Sequence, residues 1–378
     1  MKKPVMLFFS VLILSMMIAP LTANPSSALS VSGPIPIPGN LIPIPSTGTP
    51  IVPTLPDLGT VPIGLPTVAL YSIDQIKSGL VASDPLNNET KTQQELQTNP
   101  GYWTYGGDAP LLNASYDFFK DTQGLHIGSQ APANGTWAGF YASSPNTNAM
   151  LFHSVITTPV NTIPYQWYEN GMYIQTSQPL INYVTCASNT SAYGTVWAVV
   201  STTGDVNQAT QFNILWVDTS PNQPLTRDCT ILTNGSNLLK VYLDGVLVYS
   251  SNNLNLQMPA PFNTYLEPQS SYPGQLLNGT YKDYYATTGE TIKVTNNPLL
   301  AATVKLVDPT GKVLASAPVN SGTAILNIGQ FHMPLAAYFK VYDTLGIQLA
   351  STSSPVNIFG GDAYSVNPIT SGLGLTLP

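Results

Sequence analysis

The sequence predicts an all-β protein with a larger antiparallel sandwich followed by a smaller one. Three observations carry this reading. Short runs of β-branched and aromatic residues recur from residue 101 onward, separated by about 10–20 residues including turns. The 378 residues include 34 Pro and 29 Gly, which punctuate strands and oppose long helices. The stretch LLKVYLDGVLVYS (Leu238 to Ser250) joins two β-type runs through Asp-Gly, a strong hairpin signal.

The chain begins MKKPVMLFFSVLILSMMIAPLTANPSSALS. Lys2 and Lys3 precede an apolar run from Val5 to Ala19, and small residues follow. Residues 1–28 are therefore expected to be a secretory signal, with an uncleaved anchor as the other reading. Residues 29–66 contain PIPIPGNLIPIP and form a proline-rich spacer, because proline at this density excludes helix and central strand. Residues 67–288 are assigned to the larger sandwich. Within them lies the one convincing helix, near Thr90 to Gln97, closed by Pro100. Strand-like runs follow, among them GLHIGSQ, AMLFHSVITTP, GMYIQTSQ, INYVTCAS, GTVWAVVSTTG and TQFNILWVDTS. Residues 289–365 carry a compact second set (GETIKVTN, ATVKLVDPTGKVLASAPV, YFKVYDTLGIQLASTSS), read as a seven-stranded immunoglobulin-like β-sandwich. Residues 366–378 are expected to be a flexible tail.

Charge narrows the function. Lys and Arg number 12 against 19 Asp and Glu, the net charge is -7, and Arg227 is the single arginine. A phosphate backbone needs clustered cations, so nucleic acid is not an expected partner. Cys186 and Cys229 are the two cysteines, and outside the cytoplasm they are expected to pair. Asn88, Asn113, Asn134, Asn189, Asn234 and Asn278 lie in Asn-x-Ser/Thr sequons and are candidate glycosylation sites.

The run NLLKVYLDGVLVYSS followed by LLNGTYKDYYATT resembles the end of a concanavalin A-like, laminin-G-like jelly roll. The matching residues are Tyr242-Leu243-Asp244-Gly245 and Asp283. GYWTYGGDAP and QGLHIGSQ resemble its opening strands. The resemblance covers about half the chain. It implies a two-sheet jelly-roll sandwich from a group that includes lectins, adhesion modules and glycoside hydrolases, and fold alone does not choose among these.

A glucanase of that family is expected to carry its glutamates on one strand. The chain has five glutamates (Glu89, Glu95, Glu169, Glu267 and Glu290), and none has another four or five residues away. Glu169 in QWYENG and Glu267 in TYLEPQ are the one pair within the sandwich proper, and their surroundings read as turns. His126, His153 and His332 lack zinc spacing. The fold often holds Ca2+, and Asp108, Asp117, Asp121 and Asp283 are candidate ligands, with solvated strand-end aspartates as the plainer reading. No cofactor is required.

Trp137, Trp167, Tyr168 and Tyr265 are the candidate sugar-stacking residues, whereas Trp197 and Trp216 sit in apolar runs and read as core. The first functional reading is a non-catalytic carbohydrate-binding or adhesion protein, secreted or at the cell surface, whose partners are extracellular glycans or cell-envelope components. The second is a structural cell-envelope protein that could self-associate, and the third is a glycoside hydrolase using Glu169 and Glu267.

Overall fold

The computed structural model describes residues 71–163, 166–176, 182–203, 211–218, 220, 223–271 and 273–369. The expected signal segment, the expected proline-rich spacer, all other sequence before Tyr71 and most of the expected tail lie outside these residues. Among the described residues there are 24 strands and one short helix, so the chain is all-β as expected.

The larger sandwich has two antiparallel sheets. One contains β3 (Thr104–Gly107), β6 (Ala138–Ser143), β8 (Tyr168–Thr176), β9 (Tyr183–Ser191), β10 (Gly194–Thr203), β11 (Gln211–Asp218) and β15 (Phe262–Ser270), in the order β11-β10-β9-β8-β15-β6-β3. The other contains β4 (Ser115–Asp121), β5 (Gly124–Gln130), β7 (Leu151–Thr157), β12 (Thr226–Thr233), β13 (Leu239–Leu243), β14 (Val246–Ser251) and β16 (Leu277–Thr287), in the order β14-β13-β12-β7-β16-β5-β4. Its eighth strand, β2 (Leu80–Asp84), pairs with β16. The Asp-Gly hairpin joins β13 to β14. Asp244 (φ 51°) and Gly245 (φ 74°) both take left-handed backbone, as a type I′ turn requires.

Strand alternation sends one set of side chains between the sheets. Met172, Ile174, Val184, Trp197, Val199 and Leu266 of one sheet meet Phe118, Ile127, Phe152, Ile231 and Tyr284 of the other. Trp197 is fully buried, and Trp216 packs against the same core. Cys186 on β9 is bonded to Cys229 on β12, tying the two sheets together across 43 residues of sequence. Closing such a loop stabilises the fold by about 3–4 kcal/mol through lost unfolded-chain entropy. The helix α1 (Gln93–Thr98) starts at a capping box. The Thr92 hydroxyl accepts from the Glu95 N–H, and the Glu95 carboxylate accepts from the Thr92 N–H at 2.8 Å.

The smaller sandwich also has two layers. One sheet runs β1-β24-β17-β20, formed by β1 (Tyr71–Lys77), β24 (Ala363–Pro368), β17 (Thr291–Thr295) and β20 (Ala324–Asn327). The other is built from β18 (Ala301–Val307), β19 (Val313–Pro318), β21 (Leu335–Asp343), β22 (Gln348–Ser351) and β23 (Val356–Ile358). Three details differ from expectation. The sandwich has nine strands, and β17 and β24 run parallel. β1, grouped by the sequence with the larger sandwich, pairs with β24 from Tyr71↔Pro368 onward. Val366, Asn367 and Pro368 therefore belong to a strand and not to a tail.

The smaller sandwich covers the outer face of the eight-stranded sheet. Leu151, Leu232 and Tyr285 from that face share one core with Ile292, Ile328, Met333 and Ile358. His153, 1% exposed, stacks on Tyr285 at 4.4 Å and against His332 at 4.8 Å, and its Nδ1 bonds to the Thr230 hydroxyl at 2.8 Å. Glu290 accepts hydrogen bonds from Lys240 and from the Tyr242 hydroxyl, the latter at 2.7 Å.

Candidate functional site

The outer face of the seven-stranded sheet has a different chemistry. In β8, Tyr168, Asn170, Met172 and Ile174 point between the sheets, so Glu169, Gly171, Tyr173 and Gln175 occupy the other side. In β15, Phe262, Thr264 and Leu266 point inward, leaving Asn263, Tyr265, Glu267 and Gln269 outside. The register sets Gln269 opposite Glu169 and Glu267 opposite Gly171. On the other flank of β8, Asn189 of β9 stands opposite Glu169, and Ala187 opposite Gly171.

Two features emerge. Gln269, Glu169 and Asn189 form a straight row across three adjacent strands. Glu267 lies diagonally from Glu169 on the same face, a relation that separates backbones by roughly 7–8 Å and keeps long side chains within reach. The sequence reading placed both glutamates in turns, and the structure corrects this. The Asn170-Gly171 pair sits mid-strand, and Pro268 lies inside a central strand.

Small residues make room for the acids. Gly139 of β6 is opposite Gln269, and a Cβ there would collide with the Glu267 carboxylate. A Cβ on Gly171 would run into Ala187 and the Cys186 carbonyl. Around these low positions stand Tyr141, Tyr265, Tyr173 and Tyr183. Tyr141 meets Tyr265 edge to face at 4.8 Å, and Tyr173 meets Tyr183 likewise at 5.3 Å.

The centre of the row is shielded from water. Glu169 is 3% exposed, Asn189 4% and Gln269 6%. Burial pushes the Glu169 carboxyl up to about 7, against a smaller opposing pull from the hydrogen bond that the Tyr173 hydroxyl donates to its Oε1. Burial and the two nearby carboxylates raise Tyr173 and Tyr183 well above the ordinary tyrosine value. Tyr141 is pushed up to about 12 by burial first, then by Tyr265, Glu267 and Asp108. Among the described residues, none of the seven strands contains a lysine or an arginine. Strand alternation puts a carboxylic acid that holds its proton near neutrality on the same face as a second carboxyl group, in strands without a cation. Such a pair is suited to proton transfer on an uncharged substrate.

The other sequence candidates are scattered. Tyr265 belongs to this face. Trp137 and Trp167 are half-buried and immediately precede β6 and β8, where Ser271 donates its N–H to the Trp167 carbonyl at 3.0 Å. Tyr168 is fully buried between the sheets and offers no surface to a ligand, which corrects its assignment. The proposed calcium ligands do not converge. Among the described residues no three His, Cys, Asp or Glu side chains are placed to share a metal ion. Asp121 instead binds the His126 ring at 2.9 Å, Asp108 lies exposed beyond β3, and Asp117 and Asp283 sit on β4 and β16. Of the sequon residues, Asn88, Asn113, Asn134 and Asn234 are exposed and Asn278 is half-buried. Asn189 is buried in the central row and is not presented for glycan attachment, which removes it from the glycosylation candidates.

No family model and no curated protein matches the chain. Solved structures show a distant likeness. LamAcat from Zobellia galactanivorans aligns at 15% identity over 55% of this chain and 97% of its own, with a TM-score of 0.38. A laminarinase catalytic domain from Thermotoga maritima aligns at 12% identity over 55% of this chain and 96% of its own, with a TM-score of 0.35. The carbohydrate-binding module CBM66 from Bacillus subtilis aligns at 10% identity over 49% and 95%, with a TM-score of 0.31. Likeness at this level bears on neither ligand nor reaction.

Proposed function

We propose that the larger sandwich hydrolyses an uncharged extracellular glycan, with Glu169 as proton donor and Glu267 as its carboxylate partner. The observation that carries this is the placement of Glu169. Its carboxyl is buried and held to about 7 on the same face as Glu267, one diagonal step away. Glycoside hydrolysis needs two such groups, one protonated and one ionised, flanking the scissile bond. Tyr173 engages Oε1 of Glu169, which leaves Oε2 to carry the proton. The proton passes to the glycosidic oxygen as the bond to the anomeric carbon breaks. Glu267 either bonds to that carbon or takes a proton from the water that does, and water supplies the hydroxyl of the product. The absence of lysine and arginine from these strands favours a neutral substrate over an acidic one. The Cys186–Cys229 disulfide suits an oxidising compartment outside the cytoplasm.

Reducing-end release from a panel of neutral polysaccharides tests the proposal. Wild type is expected to release sugar from at least one, and Glu169→Gln and Glu267→Gln to release none. Tyr141 and Tyr265, both half-exposed on this face, favour a second reading of recognition without turnover. Retention on a glycan array with no release of reducing ends would select it.

A further inference from the structure

Asn189 is an anomaly in this protein. It is 4% exposed, yet neither Nδ2 nor Oδ1 has a hydrogen-bond partner. A buried amide with no partner is destabilising, and native structures retain few of them. Other buried amides nearby are engaged. Asn170 Nδ2 donates to the Thr157 carbonyl at 3.0 Å, and Asn161 Nδ2 donates to the Gln166 carbonyl at 2.7 Å. At Asn278 and Asn297 the buried atom without a partner is Oδ1 only, whereas at Asn189 it is both atoms of the amide. It stands opposite Glu169, on the strand flank away from Gln269.

We propose that Asn189 is the ligand-orienting amide of this site, donating from Nδ2 and accepting at Oδ1 with the hydroxyl groups of a sugar held beside Glu169. The proposal rests on the reading that this face takes an uncharged glycan. An amide offers one donor group and one acceptor from the same plane, which matches adjacent hydroxyls that can each do either. It carries no charge, so it leaves the proton on Glu169 undisturbed. Through position alone it would select sugars with hydroxyls at the matching carbons, because an analogue lacking them would leave the amide buried and unpaired.

Asn189→Leu tests this, since leucine has nearly the same volume and needs no partner. Thermal melts are measured alongside calorimetric titration with cellotetraose, maltotetraose, mannotetraose and laminaritetraose. The expected result is a melting temperature unchanged or raised by about 2 °C. Affinity for the sugar that wild type binds is expected to fall at least about 10-fold. A structural role would move the melting temperature the other way, so a drop of several degrees overturns the proposal. Unchanged affinity overturns it too, as does a wild type that binds none of the four sugars. Binding by wild type without turnover, lost in Asn189→Leu, supports the proposal and removes hydrolysis alone.

Discussion

The larger sandwich has two outer faces, and they treat buried carboxyl groups in different ways. On the eight-stranded sheet, Glu290 is met by Lys240 and Tyr242, and Asp362 behind it accepts from the Gly79 N–H at 2.6 Å and the Phe359 N–H at 2.9 Å. That face is closed by the smaller sandwich. On the seven-stranded sheet, Glu169 is bonded by the Tyr173 hydroxyl with no cation in the strands around it, and Asn189 has no partner. Each face keeps an uncompensated group, His153 Nε2 at the joint and the Asn189 amide on the seven-stranded sheet, and such burial is costly. What differs is that the joint gives its glutamate a cation and the seven-stranded strands do not. On the proposed reading, the eight-stranded side is structural and the seven-stranded side carries the chemistry.

The largest effect expected is on turnover. Glu169→Gln keeps the shape and removes the proton donor, and should lower hydrolysis by roughly 10²–10⁴-fold while leaving the fold intact. Glu290→Gln should leave turnover unchanged. Equal losses from both, measured by reducing-end release, would erase the distinction between the faces.

Titration sharpens the comparison next, because the two faces carry shifts of opposite consequence. The Glu169 carboxyl sits above its ordinary 4.5, at about 7, so the folded state holds the proton more tightly. Its contribution is fully present below 4.5 and is lost as pH rises through about 7, an effect of up to about 3 kcal/mol. His153 is held well below its ordinary 6.5, by burial first and His332 second, so the unfolded state binds that proton more readily. Its contribution is intact above 6.5 and lost as pH falls below it. Unfolding free energies from pH 4 to 8 should therefore show Glu169→Gln flattening the loss toward alkaline pH. His153→Phe, which keeps the ring stack, should flatten the loss toward acid. If either variant reproduces the wild-type profile, the corresponding shift is not present.

The smallest effect concerns space. Gly139→Ala would press a methyl group into the Glu267 carboxylate. Turnover should fall about 10-fold or more, since a misplacement of about 1 Å can cost 10²-fold, with a smaller change in melting temperature than the Cys186–Cys229 bond controls. Full activity in Gly139→Ala would place the Glu267 carboxylate elsewhere.

The sequence displays much of this architecture because strands, turns and caps are local. The Asp-Gly hairpin, the helix near Thr90 to Gln97, buried Trp197 and the Cys186–Cys229 pair are readable from neighbouring residues or from simple arithmetic. The site is not local. Glu169 and Glu267 share one face because β8 pairs with β15 across nearly 100 residues, and no short window contains that register. The local cues also mislead. Asn170-Gly171 and Pro268 are turn residues by composition, yet both lie inside strands. Period-two alternation was the usable signal. In YENGMYIQT it sets Glu169, Tyr173 and Gln175 on one side, with Met172 and Ile174 on the other. Asn189 is a sequon residue in a sequence window and an unpaired amide in the sheet. The pairing of β1 with β24 joins Asp74 to Asn367 across 293 residues, beyond any reading of neighbouring segments.

One pair of melts tests the central claim most directly: Glu169→Gln and Glu290→Gln against wild type at pH 8. Glu169→Gln is expected to melt higher, because an acid forced to ionise in a buried, cation-free row is removed. Glu290→Gln is expected to melt lower, because Lys240 loses its counter-charge at the joint. If Glu169→Gln lowers the melting temperature as Glu290→Gln does, Glu169 is a structural residue and the seven-stranded face is not a site.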